Sequence, residues 1–70
     1  MANQLEKKLA AFLKKQRGDQ TYAAFSRKLG ITASSLFRIE NCEQSVTLNR
    51  LQQIMDRLKV DLKDVFGGGN

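Results

Sequence analysis

The side chains of this 70-residue chain with a use in recognition chemistry are concentrated in one short segment, Ala33 to Asn41, ASSLFRIEN. Leu36 and Ile39 share one side of a helix there. At about 100° per residue, Ala33, Ser34, Phe37 and Arg38 fall within an arc of roughly 140° on the opposite side. Arg38 carries a planar fork of donors that fits the O6 and N7 edge of guanine. The Ser34 hydroxyl can bond several base edges, and Ala33 and Phe37 offer apolar surface to a thymine methyl. What is absent narrows the chemistry further. There is no histidine, and the single cysteine, Cys42, provides neither an internal disulfide nor a zinc site. No glycine-rich loop leads into a helix to cradle a phosphate. The residues offer recognition, and neither an enzyme nor a cofactor is expected.

The segments around that arc must hold it in place. Thr21 reads as an N-cap, and Tyr22, Phe25 and Leu29 follow on one helical face. Gly30, Ile31 and Thr32 are the whole connection to the next helix, for which Thr32 is the N-cap. Glycine takes the left-handed backbone that a sharp turn requires, and Ile31 can fill the angle between the helices. Residues 21–41 therefore read as a helix-turn-helix.

Around it, Asn3 and Glu6 form a capping-box pattern ahead of a helix with Leu5, Leu9, Phe12 and Leu13 on one face, ending at Arg17 and Gly18. Thr47 caps a fourth helix whose Leu48, Leu51, Ile54, Met55 and Leu58 form an apolar stripe. Asp61 and Asp64 open a last short turn bearing Leu62, Val65 and Phe66, and Gly67 to Asn70 reads as a flexible tail. The expected fold is an all-α bundle of four to five short helices with a single core, all that a chain this short can bury.

The net charge is +5, and +4 of it comes from residues 1–17, which hold five cations and one anion. Lys7, Lys8, Lys14 and Lys15 lie off the apolar face, so they form either a solvated surface or a patch that attracts a polyanion. No apolar run approaches the roughly 20 residues of a membrane span. The first ten residues lack the apolar centre of a signal peptide. A cytoplasmic location with no membrane partner is expected.

Three runs carry a family resemblance: Phe25 to Thr32 (FSRKLGIT), Leu36 to Asn41 (LFRIEN) and Leu58 to Phe66 (LKVDLKDVF). From Leu13 to Val65 the chain resembles the phage-repressor-like (Cro-type, xenobiotic-response-element) helix-turn-helix domains. The resemblance implies a lambda-repressor-like bundle over residues 1–66. It also implies sequence-specific binding of double-stranded DNA by a small transcriptional regulator, with the helix at 33–41 in the major groove. Base contacts would come from Arg38, Ser34, Ala33 and Phe37, and phosphate contacts from Tyr22, Thr32, Ser35 and Asn41. Apart from the resemblance, some of the late apolar residues Leu62, Val65 and Phe66 could serve as a dimer surface, so the expected partners are double-stranded DNA and a homodimer through the C-terminal helices, with no small-molecule substrate.

The departures from the family pattern are informative. The connection Gly18-Asp19-Gln20 is one residue longer than is common. Tyr22 stands where glutamine is frequent, either gripping a phosphate or extending the Phe25 and Leu29 face into the core. Ser26 replaces a usual alanine, where a small residue lets the two helices cross closely. Similar domains pair the glutamate at Glu40 with an arginine of the first helix, and Lys14 occupies the matching place here. Cys42 and Lys59 replace glycines, and Glu43 would repel phosphate. The exposed Phe37 with Ala33, Ser34 and Glu43 motivates an alternative reading, a protein-interaction module that has the same fold and no longer reads DNA.

Overall fold

Each helix begins at a side chain able to satisfy its free backbone N–H groups. In the computed structural model, which describes residues 3–67, the elements are α1 (Gln4–Arg17), α2 (Tyr22–Leu29), α3 (Ala33–Glu40), α4 (Leu48–Leu58) and α5 (Leu62–Phe66). Asn3 Oδ1 accepts from the Glu6 amide at 2.8 Å, and Glu6 Oε1 accepts from the Asn3 amide at 3.1 Å. The Thr21, Thr32 and Thr47 hydroxyls accept from the amides of Ala24, Ser35 and Arg50 at 3.0, 3.0 and 3.1 Å. Asp61 and Asp64 repeat the capping box at α5. These caps matter because helices of five to fourteen residues are marginal on their own.

The helices converge on one core. Leu9 and Leu13 of α1, Phe25 and Leu29 of α2, Leu36 and Ile39 of α3, Ile54 and Met55 of α4, and Val65 of α5 are all buried, with Ile31 packed against them from the turn. The apolar stripe of α4 is shorter than its sequence pattern suggests, because Leu48 is 83% exposed. Leu48 lies in the first turn of α4, at the very start of the stripe, and is left outside the core. Leu5 is likewise exposed at the start of α1. Beyond Gly67, the tail expected at 67–70 lies outside the described residues. Among the described residues, no helix is long and apolar enough to cross a membrane.

Of the four connections between helices, those after α2, α3 and α4 each turn on one left-handed residue at the helix end. Gly30 takes φ +78°, and the Gln53 amide from α4 donates to the Leu29 and Gly30 carbonyls, both at 3.0 Å. A β-carbon on Gly30 would sit 2.7 Å from that Gln53 nitrogen. The left-handed φ favours glycine, and a β-carbon here would also push the Gln53 side chain off the two carbonyls it braces. The other two turns lack glycine. Asn41 keeps φ −100°, so Cys42 itself adopts φ 58°, and Lys59 adopts φ 59° at the end of α4. A side chain held in this region costs about 1–2 kcal/mol. Lys59→Gly is expected to raise stability by about 1 kcal/mol, once the greater freedom of glycine in the unfolded chain is set against the relieved strain. The check is the urea midpoint of the variant against the parent.

Glu6 ties the start of α1 to the loop before α4. Its Oε2 accepts from the Ser45 hydroxyl at 2.7 Å. That bond, and then the Asn3 amide, lower the Glu6 pKa below the ordinary 4.5. A lowered folded-state pKa means the unfolded chain takes up the proton first as pH falls. The stabilisation is therefore complete above about pH 4.5 and is lost as pH drops through the lowered folded value. Urea midpoints at pH 6 and pH ~3 should differ more for the parent than for Glu6→Gln, which carries no titrating group at this site.

Candidate nucleic-acid interface

Helix α3 is held by one face and presents the other. Leu36, Ile39 and Glu40 are buried at 0, 4 and 1% exposure. Ser34, Phe37 and Arg38 are exposed and Ala33 is partly so, which places the four expected base readers on the outward side. Arg38 has no ion-pair partner among the described residues, so its guanidinium is free for an external acceptor. Neither Glu40 nor Glu43 neutralises it.

The anchor of this surface is a buried ion pair. Arg17 Nε donates to Glu40 Oε2 at 2.9 Å and Nη2 to Glu40 Oε1 at 3.1 Å. The sequence pattern had pointed to Lys14 as the partner of Glu40. Arg17 supplies the pair instead, with the bidentate geometry that a lysine cannot give. Arg17 also reaches the Gly18-Asp19-Gln20 connection. Arg17 Nη1 donates to the Gln20 carbonyl at 3.1 Å, so the extra residue is gathered under the same guanidinium. The hydrogen bond to Glu40, and then its charge, raise the Arg17 pKa.

Two aromatic rings extend this anchor to the surface. The Arg17 guanidinium lies over the Tyr22 ring, 4.2 Å from its centroid, with Nη2 at 3.5 Å from the hydroxyl. The Tyr22 and Phe37 rings meet edge to face, with centroids 5.5 Å apart and planes at 71°. Tyr22 therefore satisfies one of its two readings with its ring, packed at the core edge, and leaves its hydroxyl at the rim. Phe37 keeps 46% of its surface exposed although Tyr22 covers one side. The sequence contained no signal for this stack, because its members come from α1, α2 and α3.

The expected phosphate-contacting residues sit at helix ends. Tyr22 and the capped Thr21 begin α2, and Thr32 and the partly exposed Ser35 lie at the start of α3, with first-turn amides that are free of intrahelical partners. Asn41 closes the other end of α3, its amide donating to the Phe37 carbonyl at 2.8 Å. Ser26 is buried and bonds the Ala23 carbonyl at 3.0 Å, which is a packing role. Sequence reading missed Gln53 and Arg50. Gln53 braces the turn between α2 and α3, and Arg50 Nη1 stands 3.5 Å from the Gly30 carbonyl. Among the described residues, no group of three or more His, Cys, Asp or Glu side chains is placed to hold a metal ion.

This arrangement, a short turn between two braced helices with the second presenting a polar face, is that of a DNA-reading helix-turn-helix. Comparison with known families finds a match to the Cro/C1-type HTH DNA-binding domain over residues 8–67. Comparisons with curated proteins and with solved structures find no match. The chain belongs to the Cro/C1-type helix-turn-helix DNA-binding domains.

Proposed function

We propose that residues 1–66 form the sequence-specific, double-stranded-DNA-binding domain of a small cytoplasmic transcriptional regulator. In this reading α3 lies in the major groove, with Arg38 as principal base reader and Ser34, Ala33 and Phe37 beside it. Tyr22, Thr32, Ser35 and Asn41 hold phosphates at the two ends of the motif. The observation that carries the reading is the unpaired, exposed Arg38 on the face opposite the buried Leu36, Ile39 and Glu40. Leu62 of α5 is 56% exposed and supports a homodimer through the C-terminal helices. Two such copies would address half-sites about 34 Å apart.

The test is selection from a random duplex library, followed by titration of the winner at two salt concentrations. A palindromic site bound far more tightly than random duplex supports a dimeric regulator. Salt dependence alone does not distinguish specific from non-specific binding, because both follow a slope of about −0.9 per phosphate neutralised. If no sequence is enriched, the half-exposed Phe37 becomes the centre of a protein contact instead, the second reading of this surface.

A further inference from the structure

The stack Glu40–Arg17–Tyr22–Phe37 has a use beyond holding the fold, and this use rests on the DNA-reading function proposed above. An aromatic side chain nearly half exposed on a recognition face is costly in water, and a freely rotating one would discriminate poorly between bases. Phe37 is not free. Tyr22 braces its ring edge to face at 5.5 Å, Arg17 lies 4.2 Å over Tyr22, and the fully buried Glu40 carboxylate holds Arg17 by two hydrogen bonds. One ring on the outer surface of α3 is thereby fixed by a chain of contacts rooted in the core.

Its position suits one ligand group. Phe37 leans toward the start of α2, the end of the motif whose free amides suit a phosphate, while Arg38 and Ser34 face farther out on α3. In the major groove the apolar group of a base edge is the C5 methyl of thymine, and it projects on the side of its own strand's backbone. We infer that Phe37, braced by Tyr22 and Arg17 and flanked by Ala33, reads a thymine methyl, making the domain selective for thymine at one position of each half-site. Phe37 is a specificity-determining residue beside Arg38, held in place by Tyr22 and Arg17.

The experiment uses the duplex recovered by selection, with each thymine replaced singly by deoxyuridine, which removes the methyl and leaves base pairing intact. One position per half-site is expected to lose about three- to five-fold in affinity, the value of one buried methyl group. Phe37→Ala should bind the thymine and deoxyuridine duplexes equally well while keeping the parent's helical circular dichroism and melting cooperativity. Phe37→Leu, which keeps an apolar contact without the stacked ring, should retain part of the discrimination. If no deoxyuridine position changes the affinity of the parent, or if the loss persists in Phe37→Ala, the thymine reading is overturned and DNA recognition stands. Failure to recover any enriched duplex overturns both.

Discussion

Arg17→Met is expected to destabilise the domain more than any exposed substitution. The Glu40 side chain is fully buried, whereas that of Arg17 keeps 21% of its surface exposed, so losing the guanidinium leaves a carboxylate in the interior with no counter-ion. Removing the partner of a buried carboxylate is strongly destabilising, because it leaves an uncompensated charge in the interior. A domain of this length has a total stability of roughly 4–10 kcal/mol, so the variant should be partly unfolded at 25 °C or close to it. The double substitution Arg17→Met with Glu40→Leu separates charge from packing. It replaces the pair with apolar side chains of similar size and should recover most of the lost stability. Urea denaturation of the parent, the single and the double variants measures both effects. A single variant within 1 kcal/mol of the parent would show that the pair does not hold α3.

Arg38→Ala is expected to have the opposite profile. The side chain is exposed and unpaired, so stability should change little. Affinity for the selected duplex should fall by about 1–3 kcal/mol, roughly five- to 150-fold, the value of a bidentate contact to guanine. Base choice should relax at one position of each half-site, while binding to random duplex declines only by the loss of one cation. Repeating the selection with the variant reads that position directly. A variant that binds the parental site as tightly as before would place the guanidinium outside the groove and move the recognition role elsewhere on α3.

These two residues differ in how legible they were. Arg38 was found from sequence because its placement depends only on helical periodicity around Leu36 and Ile39. The caps at Asn3, Thr21, Thr32, Thr47 and Asp61 were legible for a related reason, since each bonds an amide three residues away and needs no other part of the chain. Gly30 announced its turn through the one backbone conformation that glycine accepts readily. Leu48 shows where local reading fails. Its spacing continues the α4 stripe, yet it is 83% exposed, because periodicity within one helix does not say how far the core extends along it.

The amino-acid sequence thus determined an all-α bundle of four to five helices, five in the structure, the turn joining α2 to α3 and the outward face of α3, because caps and periodicity act over one or two helical turns. The resemblance carried by the runs Phe25 to Thr32, Leu36 to Asn41 and Leu58 to Phe66 added the family, which the match over residues 8–67 shows. Only the tertiary structure decided that Glu40 pairs with Arg17, 23 residues away, and not with Lys14. It alone put Tyr22 between that pair and Phe37. Lys14 and Arg17 lie one turn apart on α1, and a pattern confined to one helix cannot say which of them meets α3. An ion pair and an edge-to-face stack depend on how three helices cross, and that is fixed by the shared burial of Leu13, Phe25, Leu29 and Leu36.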